Sequence, residues 1–439
     1  MSQDVGMGNP DASLRDMLLE VAEPALRAAG QALVAAETAM ADGSDDGMKY
    51  AEAIIAWGDL GGYELESKWA AAAERSVKTP VDDFAVRKVS ELSGGERKRL
   101  VLDLLLTSGA DVLLLDEPDN YLDIPTRVWL EDQILACQST ILMVSHDRSL
   151  LERVATKIIV VEGSGCWVHG GSYATFPEAR EKRQAQLGDA LKRWNDEERR
   201  LFRHMKIMKQ RAAVNFKNAT KANGAETRWE KFVAKGPPPP PVPDQQIKVG
   251  LRGADSAHTP PASVGGRARP DEGSIGLGPR TSIGTFTQIN DRPDFLGREA
   301  VDIVRERVTE EEKAMKALGR YGLSHHARQE FETLSGGQKA RLEILCLELE
   351  GHNVLLLDEP TDNLDIESSE ALEQALDGFV GTVVAVSHDR TFLEEFDRFI
   401  MINDDGAVYS LADFDLAMQA LANPAAIDRI KLAKPLTTI

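Results

Sequence analysis

LSGGERKRLVLDLLLTSGADVLLLDEPDNYLD, from Leu92 to Asp123, returns as LSGGQKARLEILCLELEGHNVLLLDEPTDNLD from Leu334 to Asp365. The displacement is 334 − 92 = 242 residues, and VSHDR at Val144 to Arg148 and again at Val386 to Arg390 keeps it. Four strings therefore recur in one order with no insertion between them: LSGG with Glu or Gln, VLLLDEP, NYLD or DNLD, and VSHDR. The chain carries two versions of one unit. In each, Val112 to Leu115 or Val354 to Leu357 is a short apolar run of the kind found in parallel strands buried on both faces. Each run ends in an Asp-Glu pair. The glycine pair of each LSGG opens a stretch with basic or amphipathic turns, so a helix starts there. This order predicts α/β units with parallel strands and flanking helices.

Composition bounds the rest. A chain of 439 residues with 42% hydrophobic content can bury two cores. Cys137, Cys166 and Cys346 form no CxxC pair, which indicates neither a disulfide framework nor a zinc site. No apolar run approaches the roughly 18 to 20 residues that span a bilayer, and MSQDVGMGNPD lacks the basic and apolar parts of a signal peptide. The expectation is a cytoplasmic protein. A net charge of −20 argues against a general polyanion binder, and nothing indicates DNA. Locally the charge reverses: Arg180 to Lys235 holds 16 Lys and Arg against 7 Asp and Glu, with no acid from Arg199 to Ala225. Leu187, Leu191, Trp194, Leu201, Met205 and Met208 step by threes and fours through it, interrupted at Glu198, so a helix packs one stripe. Arg199, Arg203, Lys206 and Lys209 fall on neighbouring turns, close enough to track a phosphate backbone. The charge alone is equally that of a solvated hairpin between two domains.

The four strings resemble the signature loop, Walker B strand, D-loop and switch histidine of ATP-binding-cassette ATPases. Two such cassettes in one chain, joined by a charged linker, are similar to the ABC-F family, whose members work on ribosomes. LSGG with its strand-end acids is specific, since 23 residues separate Ser93 from Asp116 and Ser335 from Asp358 alike. The resemblance implies ATP and Mg²⁺ as cofactors. Asp116 and Asp358 would lie in the second shell of Mg²⁺, Glu117 and Glu359 would polarise the attacking water, and His146 and His388 would contact the γ-phosphate. Ser93, Gly94, Gly95 and Glu96, with Ser335, Gly336, Gly337 and Gln338, would grip that phosphate. There glycines let the backbone approach, a hydroxyl donates and a helix N-terminus adds partial positive charge. Taken singly, each has a plainer role: a helix cap, a strand edge meeting solvent, a structural histidine. The family also implies that each ATP lies between the Walker elements of one cassette and the signature of the other, with Asp123 and Asp365 in the D-loops. Its linker reaches toward tRNA and rRNA, making the ribosome the expected partner.

The departures weigh as much as the matches. A P-loop needs Gly-Lys followed by Ser or Thr, because backbone N–H groups wrap the phosphates while the lysine neutralises them. No Gly-Lys dipeptide occurs anywhere in the sequence. In the second cassette Thr287, Gln288 and Ile289 resemble the Q-loop, Pro270 to Ser274 the strand start after a P-loop helix, and Lys248 to Gly253 the opening strand. Only ADSAHTPPASVGGRAR, from Ala254 to Arg269, stands between, which reads as an internal deletion. In the first cassette Met1-Ser2-Gln3 parallels Phe286-Thr287-Gln288, so the sequence reads as beginning at its Q-loop, Gln3. From Gln3 to Ser93 is 90 positions against 47 from Gln288 to Ser335, and the excess resembles the family's arm insert. Leu18 to Met40 and Met48 to Ala73 show amphipathic helical spacing, with a break at Gly61-Gly62-Tyr63.

The predicted organisation is a first cassette over 1–175 with a helical arm at about 10–87, and a basic helical linker over 176–243 ending in the proline run from Pro237. A second cassette over 244–410 and a tail over 411–439, with a helix near Phe414 to Leu421, complete it. Hydrogen bonds to charged groups contribute roughly 1.5 to 3 kcal/mol each, and micromolar affinity is only about 8 kcal/mol in all. Losing a P-loop should therefore leave ATP binding millimolar or weaker and the chain a poor ATPase. The expected function is an ABC-F-type ATPase on the ribosome, as a translation factor or in antibiotic resistance, with impaired nucleotide sites. The alternatives are a nucleotide-independent RNA-binding remnant and the ATPase subunit of an exporter.

Overall fold

A computed structural model describes residues 12–43, 47–78, 87–163, 165–242, 247, 249–251, 278, 280–286, 292–308, 310–362, 364–402, 407–423 and 434–435. The expected Q-loop residues Gln3 and Gln288 and the stretch of the expected deletion lie outside them. The chain forms two compact units, one of residues 1–150 with 247–439 and one of 151–246.

The first unit opens with helices α1 (Leu14–Val21), α2 (Pro24–Ala41), α3 (Met48–Asp59) and α4 (Gly62–Val77). The stretch expected as one helix from Leu18 divides at Pro24, because a proline has no N–H to continue α1 but suits the first turn of α2. Gly61 turns the chain with φ of 80°. A side chain at Gly62 would place Cβ 2.1 Å from the Trp57 ring, which is fully buried. Leu14, Leu18, Trp57 and Trp69 form a core with Leu100 and Val101.

Those last two residues belong to α5 (Gly94–Leu106), which is followed by β1 (Val112–Asp116), α6 (Ile124–Ala136), β2 (Thr140–Val144) and α7 (Arg148–Val154). From its other side α5 gives Leu102 and Leu106 to a second core with Leu113, Leu115 and Leu130. One helix thus walls two cores. β1 and β2 run parallel, Val112 opposite Thr140 and Asp116 opposite Val144.

The second unit holds the antiparallel pair β3 (Ile158–Glu162) and β4 (Gly165–His169), then the helices α8 (Phe176–Val214) and α9 (Ala219–Val233). Leu201 and Met205 are buried on α8, as are Ala222 and Ala225 on α9. Trp194 stacks on Phe232, and the Trp229 indole N–H donates to Glu198 at 3.0 Å, so the residue that interrupts the apolar stripe is satisfied from α9.

The second repeat, back in the first unit, comprises β5 (Ile283–Phe286), α10 (Ala300–Arg305), α11 (Glu311–Arg320), α12 (Gly336–Glu350), β6 (Val354–Asp358), α13 (Ile366–Asp377), β7 (Thr382–Val386), α14 (Arg390–Leu393), β8 (Phe399–Ile402), β9 (Val408–Leu411) and α15 (Phe414–Ala422). β5, β6 and β7 form a parallel sheet in that order, and β8 pairs with β9 antiparallel. The first VLLL strand departs from the sequence expectation of burial on both faces, whereas in β6 Val354 and Leu356 are half-buried. Leu113 and Leu115 are buried but Val112 and Leu114 are 57% and 61% exposed, and Val384 and Val386 of β7 are exposed too. Among the described residues these sheets are two and three strands wide, and the β1–β2 pair is covered on one face only.

The two repeats touch reciprocally. Arg148 forms a bidentate ion pair with Glu373, Arg390 forms one with Glu131, and the hydroxyls of Ser149 and Thr391 are 3.2 Å apart.

Candidate functional site

Each VLLL strand hands its backbone to a glutamate in the left-handed region, Glu117 at φ 44° and Glu359 at φ 45°. A non-glycine residue held there is strained, and such strain clusters at functional sites. The Glu117 N–H donates to the Val144 carbonyl at 2.8 Å and the Glu359 N–H to that of Val386 at 2.9 Å, so the parallel ladder holds the turn. The turn brings each carboxylate to its histidine: His146 Nε2 lies 3.7 Å from Glu117 Oε1, and His388 Nε2 lies 3.5 Å from Glu359 Oε1. The His388 backbone N–H also donates to Glu359 Oε2 at 3.0 Å.

The two sites share this frame and differ in what surrounds it. Asn120 donates its amide to Glu117 Oε2 at 2.5 Å. Its equivalent in the second repeat is Asp362, a carboxylate. Burial and then the like charge of Asp362 push the Glu359 carboxyl up to about 7. Burial also raises Asp362, and burial followed by the Arg127 guanidinium lowers His388. Arg127 is buried, with Nη1 3.1 Å from Asp147 and Nε donating to the Leu122 carbonyl at 3.0 Å. Ser369 occupies its position in the second repeat, so this guanidinium has no equivalent there.

Each signature serine caps its helix. The Glu96 N–H donates to Ser93 Oγ at 3.2 Å while the Ser93 N–H donates to Glu96 Oε2 at 2.9 Å, and Ser335 and Gln338 repeat the box at 3.3 and 2.9 Å. Ser93, Gly94, Ser335 and Gly336 are exposed, whereas Gly95 and Gly337 are half-buried. A Cβ on Gly95 would meet the Tyr121 carbonyl at 3.0 Å. Beneath that turn Lys98 is buried and donates to the carbonyls of Glu117 at 2.6 Å and Asn120 at 3.0 Å; burial lowers its pKa to about 8. Asp123 and Asp365 cap α6 and α13, accepting from the N–H groups of Thr126 at 2.9 Å and Ser368 at 2.8 Å.

Asp116 and Asp358 end β1 and β6 in exposed positions. No group of three or more His, Cys, Asp or Glu side chains among the described residues is arranged to hold a metal ion. The described residues therefore do not by themselves make a Mg²⁺ site, and the sequence holds no Gly-Lys-Ser/Thr loop whose hydroxyl would contribute to one.

On α8, Arg199, Arg203, Lys206 and Lys209 are exposed. Lys209 is paired with Glu226, and Arg203 Nε donates to the Arg199 carbonyl at 3.2 Å. Beyond them Val214 and Phe216 are almost wholly exposed at the turn into α9. Sequence reasoning missed Lys98, the Asn120 and Asp362 exchange, Arg127, and the ion pairs of Glu131 and Glu373. The 242-residue displacement relates 131 to 373 and 148 to 390, and reading it beyond the four strings would have found those pairs.

A duplicated strand-end glutamate and histidine, with a glycine-led helix beside each, defines a tandem ATP-binding-cassette protein. Residues 23–120 and 178–362 match the ABC transporter family. The chain is 38% identical to an antibiotic resistance protein of Mycobacteroides abscessus, over 93% of this chain and 86% of that one. It is 30% identical to the energy-dependent translational throttle protein EttA of Haemophilus influenzae, over 81% of this chain and 70% of that one. The solved structure of RNase-L Inhibitor is 17% identical, with a TM-score of 0.51 over 82% of this chain and 73% of that chain, a likeness of fold alone. The chain belongs to the ABC-F family of ATP-binding-cassette proteins. It spans 64% and 62% of the Bacillus subtilis relatives YfmR and YdiF. The mycobacterial alignment runs over 475 positions, more than the 439 residues here, so that relative carries segments with no counterpart in this chain.

Proposed function

We propose that this chain acts in the cytoplasm on the ribosome, through the basic face of α8, as an ABC-F factor whose nucleotide sites are weakened. The observation that carries the reading is a row of exposed bases on α8, in a chain of net charge −20, between two cassette repeats. The relatives support it by name: one is a translational throttle and another an antibiotic resistance protein. No helix among the described residues is long and apolar enough to cross a membrane.

In this reading Glu117 and Glu359 orient water, His146 and His388 hold its geometry, and the signature turns offer N–H groups to phosphate. Among the described residues Asp116 and Asp358 belong to no group of three or more His, Cys, Asp or Glu that could hold Mg²⁺. ATP binding is then millimolar or weaker, and ribosome binding does not require it. Co-sedimentation with ribosomes, with and without Mg-ATP, tests both parts. Pelleting in both conditions, reduced severalfold by Arg203→Glu with Lys206→Glu, is the expected result. Micromolar Mg-ATP affinity with turnover abolished by Glu359→Gln would overturn the weakened-site reading, and loss of pelleting only on addition of competing non-ribosomal polyanion would overturn the ribosomal one.

A further inference from the structure

We infer that the two repeats are held face to face by protein contacts alone, so that their pairing does not wait for a nucleotide. Glu131 and Glu373, Arg148 and Arg390, and Ser149 and Thr391 are each separated by 242 residues. Exchanging each residue for its equivalent turns one contact into the other: Arg148 takes Glu373, Arg390 takes Glu131, and the Ser149 and Thr391 hydroxyls meet each other. That is the pattern of an isologous twofold interface, here built within one chain. Such a pattern does not arise from a chance collision of two surfaces, because both halves must satisfy it at once.

The pairs are buried enough to set geometry. Glu131 is fully buried and the Arg390, Arg148 and Glu373 side chains are 15%, 12% and 13% exposed. The second contacts of the forks are 3.0 Å for Arg148 to Glu373 and 3.4 Å for Arg390 to Glu131, and bidentate pairing fixes orientation as well as distance. A buried ion pair adds little net free energy over two hydrated charges, but losing one partner leaves the other uncompensated. The pairs therefore admit one register and penalise the rest. Their placement ties them to the site: Arg148 and Arg390 lie two residues beyond His146 and His388, so each histidine loop is anchored by the other repeat. α15 of the second repeat also touches α6 of the first. None of these contacts involves a group that a nucleotide would have to supply.

The inference relies on the proposed function only in treating the repeats as one working pair, and its test does not read nucleotide affinity. Ser149→Cys with Thr391→Cys is made in the full-length chain with Cys137, Cys166 and Cys346 replaced, and intramolecular disulfide yield is measured in dilute protein. Equal yield with and without Mg-ATP is expected. Adding Glu373→Arg should lower the yield roughly tenfold, as expected for a buried charge left unpaired, and Arg148→Glu with Glu373→Arg should restore it. Circular dichroism separates an opened pair from an unfolded chain. Disulfide formation that requires Mg-ATP, or a yield unmoved by the single reversal in a folded protein, overturns the inference.

Discussion

Glu117 and Glu359 share one backbone turn, and a single atom exchange three residues on separates their chemistry. Where Asn120 donates to Glu117, Asp362 repels Glu359. Folded, Glu359 titrates near 7 against an ordinary 4.5. Between those values the folded protein keeps a proton that the unfolded chain has released. Stability therefore falls as pH rises through that window, by on the order of 3 kcal/mol for this group. Asp362→Asn should recover roughly 1 to 2 kcal/mol at about pH 8 and little at about pH 5, read by urea unfolding at both. An equal gain at the two pH values would sink the attribution to Glu359. Lys98→Ala, which installs the residue found at position 340, strands the carbonyls of Glu117 and Asn120 and should cost roughly 1 to 3 kcal/mol. The glutamates and histidines were legible because their chemistry is written in consecutive letters. Glu131 was not, because its partner Arg390 lies in the other repeat and no local spacing announces it, and Arg127 was not, because its partners Leu122 and Asp147 lie at no motif spacing from it.

Among the elements, α5 is the one on which the rest hinge. Its N-terminus is set by a serine box, and its two flanks close the cores of the helical insert and of the β1–β2 sheet. The insert was readable as helices from its amphipathic spacing, and its glycine break lies where Trp57 needs room. Gly62→Ala should destabilise by about 1 to 3 kcal/mol through overpacking against that ring, while Gly94→Ala meets open space and should leave unfolding midpoints unchanged within error. Equal effects would show that helix propensity rather than the tryptophan sets the outcome. The strands were readable in position and pairing type but not in coverage. An apolar run says that a strand can be buried on both sides, and only the elements stacked on it decide whether it is.

For the molecule as a whole, the uncovered apolar face of the β1–β2 sheet sets its solution behaviour. Val112, Leu114, Leu142 and Val144 lie exposed together on one sheet, and contiguous apolar surface of that kind promotes association. Leu114→Thr with Leu142→Thr should lower fluorescence of a bound hydrophobic dye and slow aggregation without lowering the unfolding midpoint. A lowered midpoint would mean that the face is packed after all. The twofold arrangement of Glu131, Arg148, Glu373 and Arg390 has a last consequence. Each repeat offers an acid and a base to any complementary surface, including the same surface on a neighbouring molecule. The covalent tether holds its own two repeats at an effective concentration of order millimolar, so self-pairing prevails in dilute solution. In a crowded one, molecules can trade partners and link into daisy chains, and the proline-ended tether then serves as the guard against polymerisation.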